Sequence, residues 1–242
     1  MARLGWGSLG SSLWQRSLLR RLGQGLSGGV ALFSVAGSWG RAAYAHHPLG
    51  GEIPATFAQG FLSGIAHPMI ELDHLVFVIA VGLLALLRPR GLWIPMSFVF
   101  GTLLGSLGHL QGLEIPGLEL GIAGSIVVIG ILLALTPPPN LPVLLGLSGL
   151  AGLLHGYAYA EAIIGAENTP LLAYLLGFSL TQLLIALLAY GLGRRWFLDL
   201  APAEPPTSRR FSLPIAGWVI CGMGLAFLGS QLMEGLLSSM GI

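Results

Sequence analysis

Lysine is absent from the sequence, cysteine occurs once, and only 9% of the 242 residues are charged. Soluble domains usually carry about 25% charged residues. Together with a hydrophobic share of 54% and a mean hydropathy of +0.82, this scarcity of charge predicts a polytopic membrane protein. Cys221 stands alone and no CxxC motif occurs, so we expect neither an intrachain disulfide nor a thiolate metal site.

Two further function classes lack their sequence signals. The formal net charge is +1 and there is no basic patch, which gives no reason to expect nucleic-acid binding. No Walker A sequence is present, and the connections between apolar segments are too short for a soluble domain. ATP hydrolysis by this chain is therefore excluded.

The first 45 residues are typical of a cleavable export signal. A short apolar stretch at 26–39 precedes Ala43-Tyr44-Ala45, which fits an A-x-A cleavage site. The basic residues before this stretch are Arg3, Arg16, Arg20 and Arg21. We predict a signal peptide at 1–45 and a transmembrane domain at 46–242, with an uncleaved first helix as the alternative.

Cleavage would place His46 and His47 at the new N-terminus. The free amine, the following amide nitrogen and the His47 imidazole could then chelate one metal ion. The alternative is a flexible end with two solvated histidines.

Six apolar segments follow, each close to the roughly 20 residues that a helix needs to cross a bilayer. Residues 55–65 are apolar on one side and predict an interfacial lead-in. The predicted fold class is all-α, a polytopic membrane bundle of six transmembrane helices. The segments are 66–87, 92–110, 118–136, 141–163, 170–192 and 213–237.

The arginines that remain after cleavage fall in the loops after the first and fifth segments. The positive-inside rule places both loops in the cytoplasm and the mature N-terminus outside. An acidic outer face would concentrate cations, although a purely topogenic asymmetry is the alternative. The arginines are Arg88, Arg90, Arg194, Arg195, Arg209 and Arg210, and the outer glutamates are Glu52, Glu114, Glu119, Glu161, Glu167 and Glu234.

Four ionisable residues lie close together in the first segment, within AHPMIELDHLVFVIAVGLL. A charge at the centre of a membrane helix costs roughly 2.5–3.5 kcal/mol, so the cluster indicates a function. On one continuous helix, His67, Glu71 and His74 would share a face and Asp73 would point away. Two imidazoles and a carboxylate suit nickel, cobalt or zinc. Polar contacts that only join helices are the alternative.

Pro68 and Asp73 refine this hypothesis. Proline is tolerated in a first helical turn, so we predict that the helix starts near Pro68, with His67 at or just before its N-terminus. Asp73 could orient His74 from a neighbouring turn or helix, as carboxylates often do for ligating histidines.

Later segments supply further candidate ligands. His155 and Tyr159 lie one turn apart in the fourth segment and share a face, at a depth from the outer end comparable to that of His74. Glu119 lies in the third segment. His109, late in the second segment, fits an interfacial histidine better than a ligand.

These residues resemble those of the HupE/UreJ family of nickel/cobalt permeases. The family pattern HPxxGxDH followed by VGLxA reads HPMIELDHLVFVIAVGLLA here, and a later HG motif is His155-Gly156. The resemblance implies a six-span permease of the bacterial inner or plasma membrane that transports Ni²⁺ or Co²⁺, has no tightly bound cofactor and is not an enzyme. Weaker similarity covers the rest of the mature chain, including Glu119, Ser125, Tyr174 and Gly177-Phe178.

The chain departs from the family pattern at several positions. Glu71 stands where the family usually has Gly and adds a carboxylate. The second motif, usually HGxAHGxE, reads HGYAYAE, so Tyr159 replaces a histidine and Glu161 comes one place early. A further family histidine corresponds to Ile185. Fewer imidazoles indicate an altered metal preference, so nickel and cobalt both stay open.

The leading hypothesis is uptake of a divalent ion from the acidic outer face. The ion exchanges water for His67, His74 and a carboxylate and passes inward by His155. Because these ligands bind metal only when deprotonated, uptake should weaken as the pH falls through the histidine range, near about 6.5. The expected partners are the divalent ion and the lipid bilayer, and both a monomer and a homo-oligomer stay open.

Other functions would use the same residues differently. The histidines could be static ligands of a haem or copper carrier or an assembly factor, or could only join helices in a structural subunit. An intramembrane serine protease of the rhomboid kind would use the GxSG around Ser148. However, His155 lies two turns along the same helix, about 10 Å away, which is too far to activate Ser148 by hydrogen bonding.

N-terminal sequencing of the protein from membranes checks the predicted cleavage. We expect His46-His47-Pro48 as the first residues, because an A-x-A site precedes them. A mature chain that begins at Met1 would rule out a terminal amine at His46 as a metal ligand.

Overall fold

A computed structural model describes residues 53–199 and 212–240. Within these ranges the chain forms seven α-helices and no β-strand, which confirms the all-α fold class. The predicted signal peptide, His46 and His47 lie outside the described residues. The helices are α1 (Phe57–Ile70), α2 (Leu72–Leu84), α3 (Trp93–Leu110), α4 (Leu118–Ala134), α5 (Leu141–Glu161), α6 (Asn168–Arg194) and α7 (Leu213–Ser239).

The first helix begins well before the predicted start at Pro68. Thr56 and Gln59 form a capping box: the Gln59 backbone N–H donates to the Thr56 hydroxyl, and the Thr56 N–H donates to the Gln59 side chain. The predicted helix start is therefore wrong, and the predicted lead-in at 55–65 forms most of α1. Pro68 instead lies near the end of α1, where its missing N–H weakens the last turn.

The predicted single helix over 66–87 is also wrong, because the chain breaks at Glu71. α1 and α2 meet there at an angle of 82°. Glu71 is extended, with φ −85° and ψ 112°, and an α-helix cannot contain this conformation. A short 3₁₀ turn, Ala85–Leu87, continues α2 to Arg88.

Helix lengths agree with an integral membrane protein. Among the described residues, α3, α5, α6 and α7 are long and apolar enough to cross a bilayer, and the bent α1–α2 pair passes the same test as a broken span or a re-entrant loop. α4 is apolar but has 17 residues, about 25 Å at 1.5 Å per residue. That length is slightly less than the roughly 30 Å of a hydrocarbon core.

Glycines bring α3 and α5 into backbone contact. A Cβ added at Gly101 would lie 2.2 Å from the Gly149 carbonyl oxygen, and one at Gly105 would lie 2.1 Å from that of Leu153. Only residues without a Cβ allow this approach. Because the contacts advance together along both chains, α3 and α5 run parallel.

A second parallel pair holds the broken helix in place. Gly60 and Gly64 of α1 lie against the backbone of Pro170 and Tyr174 in the first half of α6. Gly82 of α2 lies against the backbone of Ala186 in the second half of the same helix. α6 therefore supports both arms of the bend.

The third pair, α4 and α7, runs antiparallel. Val127 approaches Gly224, whereas Ala134, later in α4, approaches Gly217, earlier in α7. The relative directions of the helices in all three pairs are those expected when successive spans alternate in direction.

The core between these pairs combines aromatic and polar side chains. Phe77, Phe98, Tyr159, Tyr174 and Phe178 are buried to 1% exposure or less. The buried polar residues of the described ranges are Ser63, His67, His74, Thr102, Ser106, Ser148, His155, Thr181 and Gln182.

Replacing Gly156 with Ala should destabilise the α3–α5 pair. The new Cβ would lie 1.9 Å from the Thr102 carbonyl oxygen, and overpacking of this kind typically costs about 1–3 kcal/mol. Gly146→Ala on the same helix is the control, because nothing lies within 4 Å of its added Cβ. Thermal unfolding in detergent should shift downward for the first variant alone, and equal melting temperatures would contradict this packing.

Candidate metal centre

The ionisable cluster lies at the joint between α1 and α2. Glu71 is the C-cap residue of α1 and also the N-cap residue of α2. His67 stands one turn before the joint and His74 stands in the first turn after it. The bend, rather than a shared helix face, therefore brings the two imidazoles to the same carboxylate.

Short contacts connect all four side chains. His67 Nε2 lies 3.4 Å from Glu71 Oε1, and His74 Nδ1 lies 2.8 Å from Glu71 Oε2. The prediction that Asp73 points away from the cluster is wrong, whereas the expected contact between Asp73 and His74 is present. Asp73 Oδ1 lies 2.8 Å from His74 Nδ1 and accepts the His74 backbone N–H at 2.7 Å. Because α2 starts a new axis at Leu72, Asp73 turns toward the joint.

Three of these residues have the spacing of a metal-binding group. Ligand atoms of Glu71, Asp73 and His74 all lie within 4.8 Å of one another. Two carboxylates and an imidazole form a mixed oxygen and nitrogen donor set that a borderline divalent ion accepts. His74 Nε2 is buried and has no hydrogen-bond partner within the described ranges. His74 can thus bind through Nδ1 together with the carboxylates, or through Nε2 while Asp73 holds Nδ1.

The imidazoles of the cluster are more deeply buried than its carboxylates. The side chains of His67 and His74 are each 3% exposed, whereas Glu71 is 14% and Asp73 25% exposed. The carboxylates are therefore the more accessible ligand groups of the cluster, and the imidazoles lie deeper among the helices.

His155 of α5 lies beside this cluster. Its ring centroid is 4.8 Å from that of His74 and 4.3 Å from that of Phe77. His155 Nε2 lies 3.0 Å from the Ser125 hydroxyl of α4, while its Nδ1 is buried and has no hydrogen-bond partner in the described part of the chain. His155 is thus positioned next to His74 without a carboxylate of its own.

Two tyrosines close the cluster from α5 and α6. The Tyr159 ring centroid lies 5.0 Å from that of His67 and 4.6 Å from that of His74. Tyr174 lies 6.0 Å from His67 and donates its hydroxyl to the Tyr159 carbonyl oxygen at 2.7 Å. Reasoning from residue spacing missed Tyr174, because its relation to the cluster depends on the α1–α6 contact.

The remaining candidate residues lie away from the cluster. Glu119 is exposed in the first turn of α4 and is not part of the converging group, although Asp73 and Glu71 lie within its electrostatic range. His109 packs on Tyr157, with ring centroids 3.9 Å apart. The group whose ligand atoms lie within 4.8 Å of one another thus consists of Glu71, Asp73 and His74 and does not include Glu119.

The GxSG segment lacks the pairing that a serine protease needs. Ser148 Oγ is buried and has no hydrogen-bond partner among the described residues. His155 Nε2 contacts Ser125 instead. A serine nucleophile has to lie within hydrogen-bonding reach of its base, so these two residues do not form such a dyad.

Comparison with known proteins identifies a family and a relative that match most of the described chain. A model of the family described as HupE / UreJ protein matches residues 34–227. A protein described as "Protein HupE", from Rhizobium leguminosarum bv. viciae, is 30% identical over 137 residues, which cover 56% of this chain and 71% of that protein. No solved structure matches. The family match includes every residue of the cluster and its neighbours.

Asp73→Asn should weaken cobalt binding by the purified protein at least tenfold. Asp73 contacts His74 directly, and losing a ligand or the partner of a ligand typically costs 10- to 100-fold in affinity. Glu119→Gln removes the same charge outside the group and should change the affinity less than threefold. Titration with Co²⁺, followed by visible absorption, measures both variants. An equal loss of Co²⁺ affinity in the two variants would contradict the conclusion that Glu119 lies outside the cluster.

Proposed function

This chain belongs to the HupE/UreJ family, and on that premise we propose that it is a permease that takes up nickel or cobalt across the bacterial inner or plasma membrane. One observation carries the proposal: two buried imidazoles face two partly exposed carboxylates inside a bundle of apolar helices. Buried ionisable groups in membrane helices are costly and mark ion pathways.

Six crossings of the membrane fit the packing of the helices. The parallel α3–α5 pair, the parallel α1–α6 pair and the antiparallel α4–α7 pair all agree with alternating spans in which α1 and α2 together form the first. α4 would reach both interfaces with a small local thinning of the bilayer.

The loops support one orientation. Arg88, after α2, donates to the carbonyl oxygens of Pro138 and Pro139 in the loop between α4 and α5. These two loops therefore lie at the same end of the bundle. Arg194 ends α6, which runs parallel to α1, so it belongs to this end as well. The positive-inside rule makes it the cytoplasmic end.

The ion would enter from the opposite, outer side. Glu119, in the first turn of α4, lies near that entrance and within electrostatic range of Asp73 and Glu71. Fixed negative charges raise the local concentration of cations. An inside-negative potential would favour inward movement of a divalent ion by roughly 4.6 kcal/mol per 100 mV.

At the cluster the ion would bind between the carboxylates and the imidazoles. Glu71 contributes a carboxylate that lies within 3.4 Å of both imidazoles, which adds an anionic oxygen to a site with three neighbouring histidines among the described residues. Imidazole with carboxylate suits cobalt as well as nickel. His155, 4.8 Å from His74, is the next imidazole on the inward side.

His74→Ala should reduce nickel and cobalt accumulation in cells to the level of cells that lack the protein. The substitution removes the imidazole that contacts both carboxylates. His109→Ala is the matched control, because His109 packs on Tyr157 outside the cluster.

Mass spectrometry of washed cells, with nickel, cobalt, zinc and copper in competition, measures accumulation at matched protein levels. Unchanged accumulation of both nickel and cobalt by the His74 variant would refute the proposal. Copper alone, retained in stoichiometric amounts by the purified protein, would indicate a carrier with static ligands instead.

A further inference from the structure

The Ser125 hydroxyl of α4 makes two contacts that together determine which nitrogen of a neighbouring histidine carries the proton. Ser125 Oγ lies 2.6 Å from the Ile122 carbonyl oxygen and 3.0 Å from His155 Nε2. A carbonyl oxygen can only accept a hydrogen bond, and a serine hydroxyl has a single hydrogen to donate. Ser125 therefore donates to Ile122, and its oxygen accepts the N–H of His155 Nε2.

This arrangement leaves the other ring nitrogen of His155 with a free lone pair, because a neutral imidazole carries one proton. His155 is 0% exposed, and its Nδ1 has no hydrogen-bond partner among the described residues. Most buried polar atoms are paired, so an unpaired one indicates a missing partner. The lone pair of a neutral imidazole is the group that binds a transition-metal ion.

The adjoining ring of His74 has the same property. Its Nδ1 lies 2.8 Å from a carboxylate oxygen of Glu71 and 2.8 Å from one of Asp73. Ionised carboxylates accept hydrogen bonds only, so His74 carries its proton on Nδ1. The free nitrogen is then Nε2, which is also buried without a hydrogen-bond partner in the part of the chain that the structure describes.

The distance between the two rings is one that a shared ion allows. A divalent ion lies about 2.0–2.1 Å from a ligating imidazole nitrogen, and the ring centre lies about 1.2 Å further, so two imidazoles at an angle of about 90–110° have centres about 4.5–5.3 Å apart. The centroids of His74 and His155 are 4.8 Å apart, with the ring planes at 82°. The other rings beside His155 are those of Phe77 and Phe98, which offer no nitrogen or oxygen.

We propose that Ser125 is a positioning residue: it holds His155 with the proton on Nε2, so that His155 Nδ1 and His74 Nε2 bind the transported divalent ion together. This inference rests on the proposed function. Ser125 does not contact the ion and acts through His155. Hydrogen-bond partners behind metal ligands fix the tautomer and orientation of the ring, and losing one typically costs about 10- to 100-fold in affinity or activity.

Three serine variants test this role. Ser125→Ala removes the acceptor of the His155 N–H. Ser125→Thr keeps the hydroxyl, and a cavity of about 240 Å³ between α4 and α5, which Ser125 and Ser148 both line, has room for the added methyl group. Ser148→Ala removes a hydroxyl from the same cavity that has no hydrogen-bond partner among the described residues. We expect the initial rate of Co²⁺ uptake into proteoliposomes to fall at least tenfold in Ser125→Ala and to stay within threefold of wild type in the other two.

Nitrogen-15 NMR of the metal-free wild-type protein, labelled at its histidine rings, measures the tautomer directly. The signals of His155 are those missing from the spectrum of His155→Gln. For neutral His155 we expect a proton on Nε2 and none on Nδ1. Diamagnetic Zn²⁺, which imidazole nitrogens bind well, should shift the Nδ1 signal and leave the proton on Nε2.

The outcomes separate this inference from the function on which it rests. If the wild-type protein moves no Co²⁺, the proposed function fails, and the inference fails with it. If the wild type transports Co²⁺, the permease stands, and a proton on His155 Nδ1 or a Zn²⁺-insensitive Nδ1 signal refutes the inference alone. A fall of less than tenfold in Ser125→Ala, or an equal fall in Ser125→Thr, also refutes it. The wild-type spectra decide the question even where a variant fails to fold.

Discussion

The Glu71 carboxylate, held between two imidazoles at a break in a membrane helix, is the interaction on which the rest of the structure depends. An anion cannot stay in an apolar environment without partners. The break supplies them, because it brings His67 from one helix end and His74 from the other to within 3.4 Å of Glu71. α6 holds the two arms at this angle through glycine contacts at both of its halves.

The side chains at this joint and those near it differ in how far they are exposed. Asp73 is 25% and Glu71 14% exposed, while the two imidazoles are 3% exposed and Tyr159 and Gln182 are fully buried. Exposure thus falls in the order carboxylate, imidazole and neutral polar side chain, because burying a charge costs more than burying a neutral polar group.

Residue spacing predicted several features of the site, but some of these features have a different structural cause from the one predicted. His67, Glu71 and His74 were predicted to meet on one helix face, and they meet because the helix breaks. Asp73 joins them because α2 starts a new axis, bent by 82° from that of α1. The first helix starts at the capping box of Thr56 and Gln59 rather than near Pro68, and this capping box is a local signal that the sequence does contain.

The sequence by itself determined the all-α membrane class, the concentration of ionisable residues in one segment and the family motif, because hydropathy and short motifs are properties of neighbouring residues. Only the tertiary structure decided that Asp73 joins Glu71 and His74 in one group, that Ser125 contacts His155, and that Thr102 contacts Gln182 in the buried core. These side chains belong to different helices or lie beside a bend. Whether these side chains meet depends on which helices pack together through their glycines and at what angle. No local sequence pattern determines this packing.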